Sequence, residues 1–367
     1  MFSFEDKKYM TKALTLANHA RGKTSPNPMV GCVIVKNNKI IGHGFHHASG
    51  LSHAEINALN EAGDDAHEAT MFVTLEPCCH YGKTPPCVDE IIKAKISRVI
   101  VSNYDPNPVV SGKGIEKLQK AGINVETGLL QDRAVRLNEI YNKYITTRMP
   151  FVLVKAGMSL DGKIQGPNQW ITNEKSRQLV HKMRSEYDAI LVGKQTVLND
   201  NPYLTSRIKG KRNGKNPYRI IVDSRFQIPI ESNVFANPEM VIIAATNAAP
   251  PDKLSIIKKM GARVVITQTV NEGVNIAQLM EQLGQMEITS VMVEGGARIN
   301  ASFLSAGVVD KMALFISPQI FGKREYLSVV EGLDAAIRLD DTCVQRVGDD
   351  ILLQGYIGRM KKLNADT

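Results

Sequence analysis

In the first 148 residues, stretches whose apolar residues have helical spacing alternate with short apolar stretches typical of strands. This pattern predicts helices and strands in alternation. An amphipathic stretch at residues 5–19 predicts a helix, and residues 29–36 predict a buried strand that turns back at Asn37-Asn38 into residues 39–44. Further strands are expected at 70–75, 98–102 and 124–127, and helices from 53, at 87–95, at 114–121 and over 131–147. Strands that alternate with helices after a hairpin predict a mostly parallel α/β sheet.

A second block of the same kind follows a boundary near residues 146–150. Its pattern predicts strands at 151–156, 189–192, 219–222, 241–245, 264–266, 291–293, 311–317 and 350–356. Helices are expected between them, at 173–186, 251–260, 275–283 and 298–306. The sequence therefore predicts two α/β domains, residues 1–148 and 149–367.

The composition is that of a folded chain, because 43% of the 367 residues are hydrophobic and 22% are charged. An apolar run of about 18 residues, which a membrane helix needs, is absent from the sequence. The first residues lack the pattern of a secretion signal. We therefore expect a cytoplasmic protein without a membrane partner. The five cysteines are odd in number and three fall within residues 78–87, which favours a metal site over a disulfide framework.

The formal net charge of +8 is compatible with nucleic acid, a phosphorylated small molecule or a basic surface. Residues 207–215 carry five positive charges and no acid, typical either of a solvated loop or of a segment that faces phosphate. An RNA-binding segment is expected to interleave basic and aromatic residues. Aromatic residues make up only 6% of the chain and are absent from this run, so nucleic acid is disfavoured.

His53, Cys78 and Cys87 form a set of zinc ligands that leaves the fourth tetrahedral position for water. Zinc lowers the pKa of such a water, and Glu55, two residues beyond His53, has the position of a general acid/base. The order matches the signature of zinc nucleobase deaminases, except that eight residues separate the two cysteines. A closed structural site that uses Cys79 or His80 as fourth ligand is the alternative. Two isolated cysteines, Cys32 and Cys343, are expected to be buried core residues.

The first block resembles the deaminase domain of bacterial bifunctional riboflavin biosynthesis proteins. The shared motifs are PNPMVGCVIV at 26–35, HAE at 53–55, TLEPC at 74–78, TPPC at 84–87 and DPNP at 105–108. The resemblance implies a cytidine-deaminase-like α/β/α domain in which His53, Cys78 and Cys87 bind Zn²⁺ and Glu55 transfers protons. It also implies substrate contacts from Asn27, Lys83, Asp105 and Asn107. Cys79 stands where the family commonly has serine, and we treat it as a non-ligand.

In the second block, Gly295-Gly296 follows a predicted strand and precedes a predicted helix, an arrangement that exposes backbone N–H groups to phosphate. The G-x-G-x-x-G fingerprint of a dinucleotide Rossmann fold is absent from the sequence. Nevertheless, KAGMSLDG at 155–162, QWIT at 169–172, VEGG at 293–296 and stretches of 193–207 and 219–224 resemble the reductase domain of the same family, a dihydrofolate-reductase-like α/β fold.

The resemblance implies NADPH contacts and substrate contacts in this domain. The NADPH contacts would be Gly157, Trp170, Thr196, Asp200, Ser224, Gly296, Ala297, Arg298, Ile299, Asn300, Ala301 and Ser302. The substrate contacts would be Lys155, Asn168, Arg184, Leu204, Arg207 and Glu294. Asn168 stands where serine is usual. Arg184 and Arg207 are of the residue type that holds a ribose phosphate through bidentate hydrogen bonds.

The resemblance thus implies a bifunctional enzyme with Zn²⁺ and NADPH as cofactors. Its first domain would deaminate a phosphorylated diaminopyrimidine, and its second domain would reduce the ribosyl side chain. We also expect a homo-oligomer. One alternative is an RNA-directed base deaminase with a C-terminal nucleic-acid-binding module. A second alternative is a degenerate second domain that binds without hydride chemistry.

Overall fold

The computed structural model describes residues 2–80, 85–167, 170–208 and 215–358. Two predicted substrate contacts, Lys83 and Asn168, lie outside these residues. The chain separates into two compact units, Met1–Arg148 and Met149–Thr367, which we call unit 1 and unit 2. Within the described ranges, every helix falls short of the length and apolarity required to cross a membrane.

Unit 1 is built around a mixed sheet with the strand order β2-β1-β3-β4-β5. Its strands are β1 (Gly31–Lys36), β2 (Lys39–Phe45), β3 (Thr70–Val73), β4 (Arg98–Val101) and β5 (Asn124–Thr127). Its helices are α1 (Phe4–Asn18), α2 (Ala54–Ala62), α3 (Cys87–Lys93), α4 (Lys113–Lys120), α5 (Gln131–Leu137) and α6 (Glu139–Thr147). As the prediction of a mostly parallel sheet requires, four of the five strands run in one direction, and β1 is antiparallel to both of its neighbours. The pairings of β3, β4 and β5 are parallel.

Strand β1 shows why unit 1 has three layers. Alternate side chains of a strand point to opposite faces of the sheet. Val33 and Val35 pack with residues of α1, whereas Cys32 and Ile34 pack with residues of α2. Both faces are therefore buried beneath helices, which produces an α/β/α arrangement with the sheet as its middle layer.

The single helix predicted over residues 131–147 is wrong, because Asn138 separates α5 from α6. Asn138 has φ −104° and its side chain is buried against the backbone of Met29. These hydrogen bonds satisfy a backbone segment 109 residues away. A tertiary contact of this kind leaves no trace in the helical periodicity of the sequence.

Unit 2 contains a longer sheet with the strand order β10-β9-β8-β7-β13-β6-β14-β16-β15, and a separate short pair, β11-β12. The strands are β6 (Phe151–Ser159), β7 (Ala189–Gly193), β8 (Tyr218–Val222), β9 (Val241–Thr246), β10 (Arg263–Thr267), β11 (Thr269–Val270), β12 (Gly273–Val274), β13 (Ser290–Val293), β14 (Lys311–Ser317), β15 (Leu339–Val347) and β16 (Asp350–Ile357). The helices are α7 (Glu174–Glu186), α8 (Lys194–Asp200), α9 (Pro251–Lys259), α10 (Ile276–Gln285) and α11 (Ala297–Ser305). Pairings from β10 to β14 are parallel, as predicted.

The sequence pattern missed α8 and β15. Helix α8 is a seven-residue segment in which Val197 is the buried side chain, so it carries little apolar periodicity. Strand β15 pairs antiparallel with β16 at the edge of the sheet, and most of its side chains are exposed, so it lacks alternation. Cys343 lies on β15 and is exposed, which corrects the prediction of a buried cysteine; Cys32 is buried as predicted.

Candidate active sites

Three predicted metal ligands meet in unit 1. His53 Nδ1 lies 3.2 Å from Cys87 Sγ and 3.5 Å from Cys78 Sγ, and the three ligand atoms all fall within 4.8 Å of one another. Tetrahedral zinc with bonds of about 2.3 Å to sulfur and about 2.0 Å to nitrogen requires N···S separations of about 3.5 Å. The observed spacing therefore fits one zinc ion. Among the described residues, neither Cys79 nor His80 joins these three ligands as a fourth. This favours a metal site with an open coordination position over a closed structural site.

Glycines of β2 fix the helix that presents this site. His53 is the N-cap of α2, and Glu55 lies in its first turn. A Cβ atom on Gly44 would lie 2.5 Å from the Ala54 carbonyl oxygen, and one on Gly42 would lie 2.3 Å from the Ala58 carbonyl oxygen. Larger residues would push α2 away from the sheet. The two glycines therefore set the distance at which α2 packs against the sheet.

The charges around the metal ligands depend on each other. Burial raises the pKa of Glu55 to about 7, and the neighbouring Cys78 thiolate adds to this increase. Hydrogen bonding by Cys87 lowers the pKa of Cys78 to about 4, and the Cys87 N–H is 3.3 Å from Cys78 Sγ. Cys78 is thus poised as a thiolate, and a buried carboxyl group that can carry a proton lies beside it. This is the arrangement expected for general acid/base chemistry.

A histidine that the sequence analysis missed holds Asn27. His46 is 3% exposed, and its ring centroid is 5.4 Å from that of His53. His46 Nδ1 lies 3.2 Å from the Ser52 carbonyl oxygen, which can only accept, so this nitrogen carries the proton. Nε2 of the neutral ring then accepts from Asn27 Nδ2 at 3.2 Å. The Asn27 amide is therefore oriented beside the metal ligands. Three histidines within eight residues were the signal in the sequence.

The loop that carries Asp105 and Asn107 is held by the buried Glu76. Glu76 Oε2 accepts from the N–H groups of Asp105 (3.3 Å) and Gly112 (2.9 Å). Its Oε1 accepts from the N–H of Gly114 (2.9 Å), in the first turn of α4. Glu76 thus satisfies a helix N-terminus and joins the Asp105 loop to the segment that carries Cys78. Burial raises the pKa of Asp105.

In unit 2, the predicted residues Lys155, Arg184 and Glu294 form an ion cluster. Glu294 Oε2 lies 2.8 Å from Lys155 Nζ and 3.0 Å from Arg184 Nη2, and its Oε1 is 2.6 Å from Arg184 Nε. Burial alone would raise the pKa of Glu294, but the two cations outweigh it and hold that pKa well below its usual range. Arg184 Nη1 also donates to the Thr205 carbonyl at 3.3 Å. The bidentate face of Arg184 is therefore occupied by Glu294.

Lys155 and Glu294 meet because of strand register. Val154 pairs with Val293 across β6 and β13, so the next residue of each strand reaches the same end of the sheet. Segment 204–207 lies against α7, because the Arg207 N–H is 3.4 Å from His181 Nδ1 of that helix. Leu204 is buried with φ 51°, whereas Arg207 is exposed.

The predicted cofactor residues follow neighbouring strands of the same sheet. Gly157 lies on β6, Thr196 and Asp200 on α8 after β7, Ser224 after β8, and residues 296–302 at the start of α11 after β13. Because β6, β13, β7 and β8 are parallel neighbours, these segments share the carboxyl edge of the sheet, where α/β proteins bind ligands. Trp170 is 58% exposed rather than a core residue, and the Arg177 guanidinium lies 5.1 Å from its ring centroid.

Close packing explains the glycines that lead into α11. A Cβ atom on Gly295 would lie 2.4 Å from Ile299 Cγ2, and one on Gly193 would lie 2.7 Å from Ile299 Cγ1. Gly296, the N-cap of α11, has open space around its Cβ position. Of the predicted residues on α11, Ala297, Asn300 and Ala301 are buried, whereas Arg298 and Ser302 are exposed. The helix therefore offers its first-turn backbone and its exposed side chains to a ligand.

The fold and the two sites define an enzyme with a deaminase-type metal centre and a reductase-type α/β domain. The family model of the cytidine and deoxycytidylate deaminase zinc-binding region matches residues 3–103, and that of the RibD C-terminal domain matches residues 150–353. The chain is 41% identical to the riboflavin biosynthesis protein RibD of Aquifex aeolicus over 355 residues, which cover 95% of this chain and 97% of the relative.

Solved structures give the same result. RibD of Acinetobacter baumannii (form 1) superposes with a TM-score of 0.87 and 34% identity, covering 97% of this chain and 99% of that chain. A protein of Thermotoga maritima named as a diaminohydroxyphosphoribosylaminopyrimidine deaminase/5-amino-6-(5-phosphoribosylamino)uracil reductase superposes with a TM-score of 0.83 and 35% identity, covering 96% and 99%. The chain belongs to the RibD family of riboflavin biosynthesis proteins and joins a deaminase domain to a reductase domain. The predicted fold class and the predicted bifunctional enzyme are confirmed.

Proposed function

We propose that unit 1 hydrolytically deaminates 2,5-diamino-6-ribosylamino-4(3H)-pyrimidinone 5′-phosphate at its 2-amino group. Unit 2 then reduces the ribosyl side chain of the product to ribityl with NADPH. The observation that carries this proposal is the group formed by His53, Cys78 and Cys87, with the buried Glu55 two residues from the histidine. The near full-length similarity to RibD proteins supports the choice of substrate.

In unit 1, His53 Nδ1 and the two thiolates would hold Zn²⁺, which acidifies a water at this position and so supplies a nucleophile near neutral pH. The buried Glu55 carboxylate would hold the proton that such a nucleophile releases and would return it to the departing amine as a general acid. Asn27, with its amide oriented by His46, and the Asp105 loop hold the pyrimidine. We also assign a substrate contact to Lys83, by resemblance alone.

In unit 2, NADPH bound along the carboxyl edge of the sheet would supply the hydride. Backbone N–H groups at the start of α11 are suited to a cofactor phosphate, because a helix N-terminus attracts anions. Lys155 donates its ammonium proton toward the ribose ring oxygen as the ring opens, and Glu294 keeps that ammonium in place at 2.8 Å. Arg207, which is exposed, is the better candidate for the ribose phosphate, since the guanidinium of Arg184 is engaged by Glu294.

A coupled assay tests both steps. Purified enzyme loaded with zinc is given the diaminopyrimidine phosphate, and NADPH oxidation is followed by absorbance. We expect one NADPH oxidised per amine released, with none oxidised when Glu55→Gln enzyme receives the same substrate. Addition of chemically deaminated substrate should restore NADPH oxidation in the Glu55→Gln enzyme. Deamination without any NADPH oxidation would refute the bifunctional proposal and support a degenerate second domain.

The comparisons do not favour the RNA-directed alternative, because the relatives that match along nearly the whole chain are riboflavin biosynthesis proteins. A cytoplasmic location, a homo-oligomeric state and the absence of nucleic-acid or membrane partners stay predictions. Light scattering of the purified enzyme would establish the oligomeric state.

A further inference from the structure

Helix α6 lies against the two loops that carry the proposed pyrimidine contacts of unit 1. Asn138 precedes its first residue, and Tyr141 follows three positions later. Asn138 is thus the N-cap of α6, and Tyr141 lies in its first turn. Neither residue belongs to the metal site or to the motifs that the sequence analysis identified.

Asn138 anchors α6 to the loop of Asn27. Its Oδ1 accepts from the Met29 N–H at 2.8 Å, and its Nδ2 donates to the Met29 carbonyl at 2.9 Å. Asn138 is 2% exposed, so this pair of hydrogen bonds is shielded from water. A buried side chain that satisfies both backbone groups of one residue fixes the position of that residue strongly. The start of α6 is therefore bound to Met29, which follows Asn27 by two positions in the chain.

Tyr141 reaches the second loop. Its hydroxyl donates to Asp105 Oδ1 at 2.9 Å, and the Asn107 N–H donates to the same oxygen at 2.9 Å. Tyr141 and Asp105 are only 8% and 7% exposed. Because both hydrogen bonds fall on Oδ1, they fix the rotation of the Asp105 carboxylate. The backbone of Asp105 is held separately, by Glu76.

We propose that Tyr141 is a positioning residue for the deamination step: from the anchored α6 it fixes the orientation in which Asp105 meets the pyrimidine. This inference rests on the proposed function of unit 1. Tyr141 acts through Asp105 and does not itself touch the reacting atoms. Loss of its hydroxyl should therefore weaken substrate binding and leave the chemistry at Glu55 largely intact.

The test is the Tyr141→Phe variant, which removes one hydroxyl and keeps the packed ring. We expect the deamination KM to rise about tenfold, the scale of one hydrogen bond to a charged group, while kcat changes less than about twofold. Tyr9→Phe is the matched control, because Tyr9 is a buried tyrosine of unit 1 whose hydroxyl donates to the Asn38 carbonyl at 2.8 Å. Its KM should match that of the wild type.

A double-mutant cycle separates positioning from general stability. In an Asp105→Ala background, Tyr141→Phe should raise KM no further, because the group it orients is gone. Zinc content and reduction of the deaminated substrate should equal those of the wild type in each variant. A Tyr141→Phe KM equal to that of Tyr9→Phe, an undiminished effect in the Asp105→Ala background, or a KM rise accompanied by zinc loss overturns the proposal. Absence of deamination by the wild-type enzyme would instead refute the proposed function, and this inference with it.

Discussion

Removal of the negative charge of Glu294 should strongly destabilise unit 2. The carboxylate contacts Lys155 at 2.8 Å and Arg184 at 2.6 Å, and the three side chains are only 8%, 14% and 13% exposed. Glu294→Gln keeps the shape but leaves two largely buried cations without an anion. Breaking a buried ion pair from one side typically costs about 3–5 kcal/mol in the free energy of unfolding. That is a large part of the roughly 5–15 kcal/mol that stabilises a typical domain.

Urea unfolding measures this loss, and the protein offers a local probe. Trp170 is the sole tryptophan of the sequence and lies in unit 2, so its fluorescence reports on that unit. The matched control is Glu325→Gln in the same unit, because Glu325 pairs with Lys323 at 3.5 Å while both side chains are more than half exposed. An exposed pair contributes about 0–1 kcal/mol, so the control should unfold almost like the wild type.

The pH dependence of the same unfolding gives the sign of the effect. The folded-state pKa of Glu294 lies below its ordinary value of 4.5. Its contribution to stability is therefore complete above that pH and is lost as the pH falls toward the folded-state pKa. The difference between the wild type and Glu294→Gln should shrink below about pH 4.5. If Glu294→Gln and Glu325→Gln shift the unfolding free energy equally at pH 7, the ion cluster does not stabilise unit 2, and the reasoning is refuted.

Three further predictions concern the metal, the proton donor and the packing of α11. Cys87→Ser should abolish zinc binding and deamination, whereas Cys79→Ser should retain one zinc per chain by atomic absorption, because Cys79 lies outside the ligand group. Lys155→Met should lower kcat for NADPH oxidation at least about a hundredfold and leave deamination intact, as expected for loss of a general acid; an unchanged reduction rate would rule this role out. Gly295→Ala should destabilise unit 2 by about 1–3 kcal/mol through the clash with Ile299, whereas Gly296→Ala, which has open space, should not; equal urea midpoints would contradict this.

Local patterns predicted the parts of the fold that local physics determines. Asn37 and Asn38, with φ of 51° and 59°, adopt the left-handed turn that their residue type favours, and the hairpin forms where it was expected. The break at Asn138 was missed because its cause is a hydrogen-bonded pair with Met29, 109 residues earlier. His46 and Tyr141 were missed for the same reason, since their partners lie 19 and 36 residues away.

The two sites differ in how far their chemistry can be derived from the sequence, and the difference follows from where their residues lie. His53 is the N-cap of α2 and Cys87 is the first residue of α3, so two of the three proposed zinc ligands stand at helix starts that a sequence pattern can locate. The residue types also indicate the metal, because two thiolates and an imidazole that lie close together are typical zinc ligands. The cluster of unit 2 joins β6, α7 and β13, and Arg184 and Glu294 are 110 residues apart. Lysine, arginine and glutamate are common surface residues, so their presence in the sequence does not indicate a site. Strand register and burial are what distinguish these three. For unit 2, therefore, the residues alone could not define the candidate reductase site, and the fold was needed to bring its residues together.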